Sequence, residues 1–269
     1  MDGIDIATLR ELFILPFLTG LVLAVLLPLL GCYLRLRGEW LAALGFSHIA
    51  AAGSVLGLPL GLPTTLTATV ATTLAALANA LIARMGNSQF ALMLVLGWAG
   101  ALFLAANTNQ GEVISEGLLR GQLYFSTAGH LVGALITLAG FLLSLHWLNR
   151  RLLIQRFFPD YYAANGRTNW HHELLFVVLL VPAVVLGTLA IGALPAFALF
   201  FVPAWVAFGL VRSWKHGLWL SAIIGASVYL LAFFIALLMN QPFGPLLALL
   251  LALTSVLRLV GPIKGQNSY

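Results

Sequence analysis

The sequence predicts an all-α, polytopic membrane protein of about nine transmembrane helices. Of its 269 residues, 61% are hydrophobic and 8% charged, against about 25% charged in ordinary soluble domains. Mean hydropathy is +1.03. The apolar runs are also about twice as long as the roughly ten-residue alternating strands of an outer-membrane barrel. The pI near 9.8 does not point to nucleic acid, because the basic residues sit at the ends of apolar segments instead of forming a patch. The single cysteine, Cys32, excludes an internal disulfide and a paired-cysteine metal or redox motif. Asp2, Asp5 and Arg10 stand where a secretory leader would be basic, so no cleaved signal peptide is expected.

Segments long enough to cross a bilayer of about 30 Å fall at 12–33, 41–61, 63–83, 89–107, 128–148, 174–193, 194–211, 217–239 and 244–260. Nine spans fit best, within a range of eight to ten. His48 and several glycines interrupt the second. The sixth and seventh join almost without a loop around Gly192-Ala193-Leu194-Pro195, which suits either two spans or a pair of broken half-helices. Gly117–Ser126 is too short to span and reads as re-entrant. Pro16, Pro28, Pro182, Pro195 and Pro203 predict kinks that membrane helices tolerate.

Charge orients the chain. If the first span runs from outside to inside, all of the 13 basic residues except Arg10 and Arg120 fall on the inner side. Asp2, Asp5, Glu11, Glu112 and Glu116 fall outside. The positive-inside rule then predicts an external N-terminus and a cytoplasmic C-terminus.

The longest inner loop covers 149–173. It begins as a basic extension of the fifth span, turns at Phe157-Phe158-Pro159-Asp160 into a short amphipathic helix, and stops at Asn165-Gly166. Its aromatic residues Phe157, Phe158, Tyr161 and Tyr162 read either as an interfacial anchor or as a docking element for a cytoplasmic partner.

The sequence carries no phosphate-binding G-x-x-x-x-G-K-[ST] loop, metalloprotease helix or nucleophile elbow, so it is not read as an enzyme. All eight acidic residues lie in loops or at interfaces on these boundaries, which disfavours a stand-alone proton-coupled carrier. The ionisable group that stands out is His48, beside Ser47 in an apolar stretch. Ionisable groups at bilayer depth are costly and commonly mark a substrate or proton route. A neutral imidazole can equally serve as a hydrogen-bonding group in helix packing. His130 lies near the outer end of the fifth span. His146, His171, His172 and His216 sit at the inner boundary, where solvation is the simplest reading.

Four stretches, in order and nearly in register, resemble the ABC-3 family of bacterial importer permeases for zinc, manganese or iron. The first is Gly31–His48, GCYLRLRGEWLAALGFSH, with a glycine-ended first span, an arginine and then a Ser-His pair, followed by Gly53. The second is Leu118–Thr127, LLRGQLYFST, with Gly121 at the motif glycine. FFPDYYAANG is similar to a cytoplasmic F-D-P-E-x-A-x-x-x-G element, about one residue short. The last runs over Gly192–Val260, where LFFVPAWVAFGLV resembles an L-x-x-P-A-x-x-A motif and Gln241-Pro242-Phe243-Gly244-Pro245 a P-x-G element.

The resemblance implies a type II importer-like permease, one transmembrane unit over 1–269, in a bacterial cytoplasmic (inner) membrane. Its implied partners are two ATP-binding-cassette ATPase subunits carrying ATP and Mg, an extracytoplasmic substrate-binding protein and a second permease copy. The chain itself would bind no cofactor, and the transported ion would be Zn2+ or Mn2+. Phe157, Phe158, Asp160, Tyr161, Tyr162 and Gly166 would meet the ATPase. His48 would touch the metal in passing, with Ser47 as its hydrogen-bonding neighbour and His130 on the outer part of the route. Three often acidic positions of the family are neutral here: Leu44, one turn before His48, Gln89, and His130. An i, i+4 Asp-His pair makes a two-ligand step for a divalent ion, and Leu44 removes it. The alternatives are therefore a permease for a metal chelate or another small solute and, from other classes, a stand-alone proton-coupled carrier or an assembly factor.

Overall fold

The computed structural model describes residues 6–81, 86–108, 117, 121–158, 161, 165 and 170–260. Among these the chain is helical throughout, with no strand. The helices are α1 Ile6–Arg37, α2 Ala42–Leu60, α3 Thr64–Leu81, α4 Asn87–Ala106, α5 Ala128–Phe157, α6 Trp170–Ala190, α7 Ala193–Leu210, α8 Trp214–Met239, α9 Phe243–Thr254 and α10 Val256–Val260, with a 3-10 turn at Leu123–Phe125. In the described residues seven of them (α1, α2 and α4 to α8) contain a stretch long and apolar enough to cross a membrane. The chain is a multi-pass membrane protein. α3 and the short α9–α10 pair occupy the third and ninth predicted spans.

α3 carries six threonines, yet their hydroxyls do not burden an apolar environment. Thr69, Thr72 and Thr73 donate back to the carbonyls of Thr65, Ala68 and Thr69 at 2.7, 2.8 and 2.7 Å, so the polar groups are satisfied inside the helix.

α1 is apolar on all sides, the pattern of a helix covered by others, and packs against α5, α6, α7 and α8. Near its basic end Tyr33 is fully buried and meets Phe141 and Trp214 edge-on at 5.7 and 5.4 Å, the favourable geometry for aromatic quadrupoles. α2 packs against α3, α4, α6 and α7. Contrary to the expected interruption, α2 is one continuous helix. Its glycines and alanines do not break it, because they are the residues at which neighbouring helices make close contact.

The segments around Gly192 form two helices rather than half-helices. α6 has 21 residues and α7 has 18, each enough to span. They are separated at Gly192, whose φ of 104° suits glycine; its N–H bonds back to Gly187 and Thr188. The described part of the segment expected to be re-entrant is a tight turn laid on this junction. Gly121, at φ 91°, lies directly against the Ile191 carbonyl, where a Cβ would collide.

The basic ends of the helices gather together. Arg35 lies over Phe208, Arg37 over Phe176, Arg151 over Trp147 and Arg258 over Trp205. This joins the ends of α1, α7 and α10 and sets the end of α1 beside the start of α6, to which a Gln155–Glu173 hydrogen bond ties the end of α5.

Candidate functional site

α2 is the most enclosed of the candidate spans, with 61% of its apolar window buried. Ser47 and His48 sit near its start. His48 is 9% exposed, and its Nδ1 lies 2.9 Å from the Leu44 carbonyl oxygen. A carbonyl can only accept, so Nδ1 carries the hydrogen and the neutral ring keeps the Nε2 lone pair. A hydrogen bond from the far ring nitrogen to a carbonyl is how ligating histidines are commonly oriented. His48 is thus satisfied by its own helix, not by a neighbouring one. At position 44 the side chain is apolar, but the backbone orients the ring.

The backbone of His48 is also held from outside. A Cβ built on Gly97 of α4 would come within 2.5 Å of the His48 carbonyl carbon, so α4 can reach this depth only with glycine there. The position was legible as part of a small-residue stripe, Gly97, Ala101 and Ala105, all buried on α4. Ser47 is fully buried, and its Oγ has no hydrogen-bond partner among the described residues. Adjacent helical side chains point about 100° apart, and Ser47 makes no hydrogen bond to His48.

His130 is the third residue of α5. Its Nδ1 accepts the Thr127 backbone N–H at 3.2 Å in a capping box, which saturates an otherwise orphaned donor. The neutral ring then presents Nε2–H, a donor and not a ligand. Among the described residues no group of three or more His, Cys, Asp or Glu is placed to hold a metal.

At the basic end, Phe157 closes α5 and is exposed, as are Phe158 and Tyr161. Asn165 bonds back to the Tyr161 carbonyl through its backbone N–H and through Nδ2 at 2.7 Å. Asp160, Tyr162 and Gly166 lie outside the described residues. A link that sequence reading missed closes the base of this segment: Gln155 Nε2 donates to Glu173 Oε1 at 3.0 Å, tying the end of α5 to the start of α6. Eighteen residues separate the pair, so no local motif announces it.

The model of the ABC 3 transport family matches residues 10–261. The chain belongs to the ABC 3 transport family. The fold agrees with solved structures. A chain of PsaBC from Streptococcus pneumoniae in complex with Fab is 24% identical, with TM-score 0.79 over 94% of this chain and 92% of that one. A second, from an inward-facing structure of a transporter assigned to the metal-chelate ABC type, is 19% identical, with TM-score 0.72 over 96% and 90%. No curated protein matches.

As an ABC 3 chain this is a transport protein, and its helices make it the membrane-embedded part. One resemblance and one departure now have physical explanations. Gly121 is glycine because the turn packs on the Ile191 carbonyl with positive φ. Gln89, in place of an acid, accepts the Gly86 N–H at 2.9 Å and caps α4. Asn87 pins the neighbouring corner, accepting the Leu41 N–H and donating to the Gly38 carbonyl, both at 3.2 Å.

Proposed function

We propose that this chain is the permease subunit of an ATP-driven importer of divalent metal ions, zinc or manganese, in a bacterial cytoplasmic membrane, with its C-terminus on the cytoplasmic side. The observation that carries the reading is the match to the ABC 3 transport family over residues 10–261. The whole chain acts as one transmembrane unit that binds no cofactor. Separate ATPase subunits carry ATP and Mg and dock at 149–173. An extracytoplasmic protein delivers the substrate, and a second copy of the chain completes the route. Metal passes His48, whose Nε2 lone pair is available in the neutral ring. His130 contributes to the outer part of the route through the local structure that it caps.

Uptake of radiolabelled zinc and manganese tests this, in cells that lack other importers and express the chain with its ATPase and binding protein. His48→Ala at unchanged protein level lowers uptake about tenfold or more, since even loss of an outer-shell partner to a metal ligand costs about that much. Uptake equal to wild type removes His48 from the route. Transport by the chain without an ATPase would sink the importer reading altogether.

A second reading, a metal chelate as cargo, is favoured by the absence of a cluster of metal ligands among the described residues and by the apolar Leu44. It predicts uptake indifferent to free zinc and a binding protein without metal-ligating side chains.

A further inference from the structure

Arg35 and Arg258 converge at the basic end of the bundle. Arg258 is held in place from three sides. Its guanidinium stacks 4.0 Å from the Trp205 ring centre. Its Nη1 donates to the Trp205 carbonyl at 2.7 Å. Its stem lies across Gly209, where a Cβ would meet it at 2.6 Å. Arg35 lies over Phe208 at 5.8 Å, and the Trp205 ring on which Arg258 stacks lies on the same cleft as Arg35. Arg35 lines this cleft with Gly31, Trp40, Phe200, Phe201 and Trp205.

Neither arginine has a carboxylate partner among the described residues, where the one ion pair joins Arg37 and Glu39. Two guanidiniums brought to the same end of α7, over Phe208 and Trp205, without a counter-charge are an arrangement that an anion stabilises, and guanidinium suits phosphate oxygens. An apolar track leads away from them. Phe197, Phe201 and Trp205 stack along α7 with ring centres 5.7 and 6.4 Å apart. All three are partly exposed, and Trp40 flanks Phe201 at 5.6 Å. Eight residues of helix carry this track about 12 Å along α7, away from its basic end.

We propose that the cleft between α1 and α7 is a binding site for an acidic phospholipid, with the phosphate between Arg35 and Arg258 and one acyl chain along Phe197, Phe201 and Trp205. A free phosphate would use the arginines but not the aromatic track, whereas an acidic lipid uses both. Basic pockets between helices at the inner face are physically suited to such headgroups. The proposal needs only that the chain spans a membrane, and it stands apart from the identity of the transported solute.

Native mass spectrometry of the full-length chain in neutral detergent tests it, with phosphatidylglycerol, phosphatidylcholine and inorganic phosphate as probes. Phosphatidylglycerol should bind more tightly than phosphatidylcholine. Arg35→Gln and Arg258→Gln should each weaken it about fivefold, the worth of one basic residue near a lipid surface. Phe201→Ala should weaken both lipids. Equal phosphatidylglycerol binding by wild type and both glutamine variants overturns the proposal. Displacement of the lipid by an equal concentration of inorganic phosphate also overturns it, because the site then belongs to a soluble anion. If the variants lose ATPase association with lipid binding intact, the cleft is a protein interface and the proposal fails. A photoactivatable phosphatidylglycerol on the unaltered chain gives a check free of folding effects. Crosslinks should map to 35–40 and 197–205, and crosslinks confined to other segments count against the site.

Discussion

His48 owes its candidacy to the contacts around it more than to its rarity. Leu44 orients its ring through the backbone, and Gly97 brings α4 against its main chain. Two outcomes follow. Leu44→Asp adds a carboxylate one turn away on the same helical face, so it should raise retention of zinc by the purified chain about tenfold, read by metal analysis after dialysis. No gain would mean that positions 44 and 48 do not face a common space. Gly97→Leu should separate α2 from α4 at a cost of about 1–3 kcal/mol, the usual penalty of overpacking. It should lower both the thermal midpoint in detergent and metal uptake, without touching a ligand. An unchanged midpoint would show that α4 does not hold His48 in place. The hydroxyl of Ser47, buried and without a partner, has no structural explanation here.

Among the helices, the informative join is that of α5 to α6. α5 continues well beyond the predicted end of its span to Phe157, and Gln155 and Glu173 clamp it to the next helix. The exposed Phe157 and Phe158 therefore stand on a braced base. Replacing both with alanine should reduce ATPase co-purification at least tenfold while leaving the thermal midpoint within a degree or so, since exposed side chains contribute little to stability. Glu173→Ala should weaken the same association less, by loosening the base. Full co-purification in the double variant would assign these aromatics to the membrane interface. The α6–α7 junction makes a separate expectation. Gly192→Val forces a branched residue into positive φ, a strain of about 1–3 kcal/mol, and should lower the thermal midpoint.

In the assembled molecule the arginine-bearing ends lie together, although their positions in sequence run from 35 to 258. That grouping makes orientation testable by labelling. Cys32 is buried and bonded to Ser221 at 3.1 Å, so it should react with no impermeant reagent. In a Cys32→Ser background, Thr108→Cys should be labelled in intact cells, and Lys215→Cys only after the membrane is opened. The reverse pattern would invert the proposed orientation.

Composition, run length and the placement of arginine were enough to recognise a helical membrane protein and the seven helices long and apolar enough to span, because burial in lipid demands long apolar helices whatever their neighbours. The Ser47-His48 pair, Gly121 and the exposed aromatics were legible for a similar reason: residue type and order carry their signal. What each residue does was not legible. That Gln89 and His130 cap helices, that Gly97 meets the His48 backbone, and that Arg35 and Arg258 come to the same end of α7 depend on which helices come together. Packing in a membrane is decided by shape and by small residues at contact points, and a one-dimensional pattern of apolar residues holds little record of those choices.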